Sequence, residues 1–200
     1  MRRCSAQYPV RGYCGPKWKQ AVLGVPRIGW LGVSAIDCPQ MMKSLQRITA
    51  PLVRSIVRTR ARGRSLEQLV NQLEASRVRL EQRFFAARDT AGNREALNHI
   101  LGIERWSQGR LRVASGAPLV IDSYRGYRLP DGASLAELQA AFKDTRTETI
   151  ALARALQAQD VSPSTTVKHN DLGDFSLVEW LVYLNDHANR EQFRIRVAAS

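Results

Sequence analysis

Two hundred residues, with 30 Lys/Arg against 18 Asp/Glu and a net charge of +12, are enough for one domain with a real core. The basic excess is not spread evenly: residues 1–62 hold 12 Lys/Arg and the single acid Asp37, a net of +11, whereas residues 63–200 hold 18 and 17, a net of +1. All three cysteines (Cys4, Cys14, Cys38) also fall in the first part, so residues 63–200 exclude a disulfide framework, a thiolate zinc site and a cysteine nucleophile.

Residues 1–40 mix Gly, Pro and aromatic residues without a steady period. The apolar run 21–36 is broken by Pro26 and Arg27, too interrupted for a secretory segment and too short for a membrane span. Residues 43–62, KSLQRITAPLVRSIVRTRAR, are basic, acid-free and mildly amphipathic around Pro51. Such a leader suits a transit peptide, a basic arm for nucleic acid or anionic lipid, or an extension upstream of a true start at Met41, Met42 or later. The abrupt break in composition favours the last. The expectation for residues 1–62 is therefore a basic, poorly structured extension, with the folded domain over 63–200.

Four helices follow from residue 65. Ser65 with Gln68 is a capping box, in which a hydroxyl takes a free backbone N–H and the longer side chain reaches back to the cap. Leu66, Leu69, Leu73, Ser76, Leu80 and Phe84 then share a helical face. The turn Ala91-Gly92-Asn93 ends this segment. A second helix runs from about Arg94 to Ala114, with Arg94, Asn98, Arg105 and Arg112 on its expected wet side and His99, Ile103 and Trp106 opposite. Ser134 with Glu137 opens a third helix, whose stripe is Leu135, Leu138, Phe142, Thr145, Thr149, Leu152 and Leu156. Ser176 with Glu179 opens a fourth, reaching about Val197, with Leu177, Trp180, Leu184, His187, Glu191 and Ile195 along one face.

No segment shows sustained period-two alternation, so no strands are predicted. The expectation is an all-α four-helix bundle with long loops over 115–133 and 159–175.

The last stripe begins apolar and ends in His187 and Glu191, two ionisable groups one turn apart. An inward His paired to its i+4 carboxylate is one reading; a pair of metal ligands is the other. His99 on the inward side of the second helix adds weight to the second reading, since bundle cores build metal sites from facing helices. Two imidazoles and a carboxylate leave positions for water and suit Zn²⁺, Ni²⁺ or Fe²⁺. His169 lies in the loop before the last helix. No glycine-rich phosphate loop and no HExxH is present. Trp106, Tyr124, Tyr127, Trp180 and Tyr183 read as packing residues rather than a base-stacking platform. Glu104 reads as a surface or helix-pairing carboxylate.

Three stretches carry a resemblance: ALNHILGIERWSQGRLR (96–112), HNDLGDFSLVEWLVYLNDH (169–187) and HANREQFRI (187–195). They resemble the DinB-like superfamily of small bacterial four-helix proteins over about 63–200. His99-Ile100-Leu101-Gly102-Ile103-Glu104-Arg105 is similar to that family's second-helix motif, and His169 to Gly173 looks like its histidine-bearing loop. The resemblance implies a metal site of three histidines, one from helix two and two from helix four. Carried over, the ligands are His99, His187 and, where the family has His, Glu191. It also implies thiol-linked transferases and isomerases using low-molecular-weight thiols, a small-molecule substrate and compatibility with a homodimer. With no signal peptide read in the sequence and no cysteine in 63–200, a cytoplasmic location is the expectation.

Three functions compete on these residues. The first is a divalent-metal-dependent, thiol-linked transferase or detoxifying hydrolase. The second is a metal-free DinB-like ligand-binding or stress protein with a degenerate site. The third is nucleic-acid binding, which rests on residues 1–62 alone; none is expected for 63–200, and no membrane association is expected.

Overall fold

The computed structural model describes residues 38–198, with side chains from residue 49 on. Readings that fall on residues 1–37 lie outside the described residues. The described chain is mostly helical: α1 (Cys38–Ala61), α2 (Leu66–Phe85), α3 (Ala91–Ala114), a short 3-10 helix at Tyr124–Tyr127, α4 (Leu135–Ala158), strands β1 (Thr166–His169) and β2 (Gly173–Ser176), α5 (Leu177–Glu191) and a 3-10 turn at Gln192–Arg194. The four expected helices correspond to α2–α5. Their three capping boxes form, with Ser65, Ser134 and Ser176 each accepting the N–H three residues on.

α4 and α5 each pack against both α2 and α3, and α1 lies against α5. The stripe on α2 is buried from Leu66 to Phe84. On α4, Leu135, Leu138, Phe142, Thr145, Thr149 and Leu156 are buried and Leu152 is half-buried. The apolar core forms two clusters. One gathers Leu73, Trp106, Ile150 and Trp180; the other gathers Leu80, Phe84, Leu97, Leu101 and Phe142.

A buried polar layer falls between these clusters along the helices. Arg146, fully buried on α4, places Nε 2.7 Å from Glu104 Oε1 and donates from Nη2 to Glu104 Oε2 at 2.8 Å. Its Nη1 donates to Ser76 Oγ and Asn185 Oδ1, at 3.1 and 3.2 Å. Thr149 donates to Glu104 Oε1, and Gln108 donates to the Thr145 carbonyl and to Thr149 Oγ1. All four helices α2–α5 are thus joined through one ion pair whose remaining polar atoms are largely partnered, the condition under which a buried pair is tolerated.

Several expectations are corrected. Residues 38–61, expected to be poorly structured, form α1. Val57 (3% exposed) and Ala61 enter the core, so the compact unit begins at Cys38 rather than 63, and among the described residues there are five α-helices rather than four. The reason is amphipathicity: Val53, Val57 and Ala61 fall at helical spacing and cover an apolar face of α5. Strands also occur. β1 and β2 pair antiparallel, Val167 opposite Phe175 and His169 opposite Gly173. Each is four residues long, too short for an alternating pattern to be sustained in the sequence. His169 is therefore strand-borne rather than loop-borne.

Ala91-Gly92-Asn93 is not a terminating turn but the first turn of α3, capped by Thr90. Asn93 is buried. It donates to the Arg88 and Arg196 carbonyls and accepts from Arg196 N, fastening the C-terminal segment to the α2–α3 connection. Asn98, expected on the wet face, is buried too; its amide donates to the Leu129 carbonyl and accepts from Leu129 N, pinning the 115–133 connection onto α3. α5 ends at Glu191, short of Val197, yet Ile195 remains buried beyond it. Among the described residues, no helix is long and apolar enough to cross a membrane.

Candidate metal centre

Three side chains converge where α3 meets the C-terminal end of α5. His99 comes from α3, while His187 and Glu191 sit one turn apart on α5. Their ligating atoms all lie within 4.8 Å of one another. The two imidazoles face each other through Nε2, 3.2 Å apart. Two nitrogens bound to one tetrahedral metal at about 2.0–2.1 Å would be separated by about 3.3 Å, so the rings already stand at a ligand-pair distance.

The surroundings hold each group in place. Tyr124, from the 3-10 turn that Asn98 helps to anchor, meets the His99 ring edge-on at 5.1 Å between centroids. Gly102, one turn after His99, makes room for that turn: a Cβ here would come within 2.7 Å of Arg128 Cγ and 3.0 Å of the Tyr124 carbonyl oxygen. On α5, Tyr183 lies one turn before His187, with ring centroids 6.2 Å apart. Glu191 accepts from Arg194 Nη1 at 2.8 Å, and Arg190 Nε stands 3.4 Å from its other oxygen. Tyr124 was expected only to pack, and its contact with His99 spans 25 residues of chain; Arg194 shares the His187–Glu191 face at i+7 and i+3, yet a cation there is indistinguishable by spacing from a solvent-facing one.

The electrostatics keep the imidazoles neutral. Burial lowers the proton affinity of His99, and the Glu191 carboxylate opposes this without cancelling it. His187 is driven further down by burial and by the adjacent His99. Burial of Glu191 works against its charge, but the Arg194 hydrogen bond and the cations around it outweigh that, so its carboxyl lies below the ordinary carboxylate range. Neutral imidazole and ionised carboxylate are the protonation states that a divalent ion requires of its ligands.

His169 does not join this group. Its Nδ1 accepts the backbone N–H of Asp171 and Leu172, at 3.1 and 3.2 Å, which stabilises the hairpin turn. The ring stacks on Trp180 at 5.3 Å and lies edge-on to Trp106 and Tyr183. The aromatic residues expected to pack do so here. Glu104, expected either at the surface or pairing helices, is buried; it joins α3 to α4 through Arg146 and lies in the polar layer, apart from His99, His187 and Glu191. No family model, no curated protein and no solved structure matches this chain.

Proposed function

We propose that this chain is a divalent-metal-dependent enzyme of the DinB-like, thiol-linked transferase or detoxification type, built on the α2–α5 helices, with His99, His187 and Glu191 as ligands. The observation that carries the proposal is the convergence of two neutral imidazole nitrogens and one ionised carboxylate from two helices. A bound Zn²⁺, Ni²⁺ or Fe²⁺ would supply Lewis acidity toward a thiolate or carbonyl, and two imidazoles and one carboxylate leave coordination positions for it. The chain's own residues prepare that site. Arg194 fixes the rotamer of Glu191, Tyr124 walls one side of His99, and Tyr183 backs His187. Residues 63–200 hold no cysteine, so the thiol in this reading comes from a low-molecular-weight cosubstrate that joins the small-molecule substrate. A cytoplasmic location belongs to the same reading.

A second reading has its own support. A separation of 3.2 Å also suits one N–H donating to the facing nitrogen, and Glu191 already has two arginine partners. In that case the protein is a metal-free DinB-like ligand-binding or stress protein. Elemental analysis of the full chain, purified without a chelating tag, separates the two. The enzyme reading expects near-stoichiometric divalent metal that is lost in His187→Ala. Failure to take up metal after incubation with Zn²⁺, Ni²⁺ or Fe²⁺ selects the metal-free protein.

A further inference from the structure

The metal centre makes no use of the basic run before residue 65. α1 contains no acid, and from residue 49 it presents Arg54, Arg58 and Arg60, with Arg62 directly after its end. Arg54 and Arg58, four residues apart, lie on one side of the helix a step of about 6 Å from each other, and Arg62 continues the row just past the end, its N–H donating to the Arg58 carbonyl at 3.1 Å. With Ser55 and Thr59 they form one wall of an open groove of about 700 Å³. The turn after β1, at Asp171 and Leu172, forms the other wall together with Gly173 at the start of β2. Gly173, at φ +81°, lets the Arg54 guanidinium lie against this turn: a Cβ there would meet Arg54 Nη1 at 3.2 Å.

The charge in this groove is largely uncompensated. Arg58 Nε stands 3.4 Å from Glu179, and Arg60, on the other side of the helix, pairs with Asp186 at 2.7 Å. Among the described residues, neither Arg54 nor Arg62 has a carboxylate within 4.0 Å. Asp171 is the acid that lines the groove. Guanidinium groups and hydroxyls in a row match the oxygen-rich, regularly charged edge of a phosphodiester chain.

We propose that the Arg54–Arg58–Arg62 groove binds the phosphodiester backbone of nucleic acid without sequence preference. A membrane surface fits less well. The apolar side of α1 (Val53, Val57, Ala61) is committed to the protein core. The exposed Leu52 and Ile56 lie roughly 120–160° around the helix from Arg58, so the helix cannot present them and the arginine row to one surface. Among the described residues no aromatic side chain lines the groove, so binding rests on charge and is strongly salt-dependent. This proposal is independent of the metal reading.

The test is fluorescence anisotropy of the full chain with a labelled 20-nucleotide oligothymidylate, from 50 to 200 mM salt. Three phosphate contacts give a log–log slope of about −2, so affinity falls roughly 20-fold or more across that range. In the double variant R58Q/R62Q we expect affinity at 100 mM salt to drop at least tenfold and the slope to flatten by about 1.4. The control R79Q/R88Q removes the same charge outside the groove and should stay within twofold of the parent. Equal losses in the two double variants would reduce the effect to net charge and overturn the site. So would an absence of binding to the oligonucleotide, or association with phosphatidylserine vesicles in its place.

Discussion

Arg146 and Glu104 are 0% and 2% exposed, and each is the other's principal counter-charge. Removing one partner strands a charge in the core. Arg146→Leu or Glu104→Leu should therefore each cost about 3–5 kcal/mol in urea unfolding. The double variant should cost clearly less than the sum of the two, because neither charge then remains unpaired. Additive losses would mean that the two residues act separately. His169 gives a second prediction at this scale. Burial, with a smaller push from Arg110, holds its pKa at about 4 against an ordinary 6.5. The folded ring stays neutral while the unfolded chain takes up a proton, so its contribution is complete above pH 6.5 and is lost as pH falls from 6.5 to 4. That amounts to about 3 kcal/mol. His99 and His187 shift with the same sign, so the readout is a difference: His169→Gln should show a flatter loss of stability between pH 7 and 4 than the parent. Parallel curves would exclude this role.

The helices owe their starts to local chemistry. At α4, Ser134 Oγ accepts Glu137 N while the Glu137 carboxylate accepts Ser134 N. Ser134→Ala leaves an N–H without its partner and should lower stability by about 1 kcal/mol, measured as a shift in urea midpoint at constant m. α3 carries a different constraint. Gly102 is the glycine of the His99–Arg105 motif, and the close passage of the Tyr124–Arg128 segment explains it. Gly102→Ala must push back a backbone carbonyl at 3.0 Å, and Arg128 has to move as well. The expected cost is about 1–3 kcal/mol. In the DinB-like reading, metal retention should weaken along with stability, because Tyr124 is displaced from His99. A fully stable Gly102→Ala protein would show that the loop yields freely.

At the scale of the molecule, α1 belongs with the other helices. A chain that starts at residue 38 should unfold at a clearly higher temperature than one that starts at 63, which leaves the surface under Val57 and Ala61 open to water. Burial of Val57 alone is worth about 1.5–3 kcal/mol. Equal melting temperatures would mean that α1 contributes no net stability.

Much of this architecture is written in short-range signals. The three capping boxes, the stripes on α2 and α4 and the His187–Glu191 pair on α5 depend on residues three or four apart, and helical periodicity alone aligns them. The polar layer also leaves a trace in the sequence: Ser76 on the α2 stripe, and Thr145 and Thr149 on the α4 stripe, are hydroxyls among hydrocarbons. What fills that layer is another matter. The partner of Arg146 lies 42 residues away, and a buried arginine cannot be told from a surface one until its carboxylate is in place. Asn98 and Asn93 look like wet-face and turn residues because the backbone groups they hold, at Leu129 and Arg196, are distant in the chain. The same holds for the hairpin, whose strands are too short to declare a period, and for α1, whose apolar side has meaning only once α5 is there to cover it. Local spacing determined α2–α5 and nominated His99, His187 and Glu191 as candidates. Long-range packing decided which charges are buried, which asparagines are structural and where the folded unit begins, because those outcomes depend on desolvation and partnership that no neighbouring residue can supply.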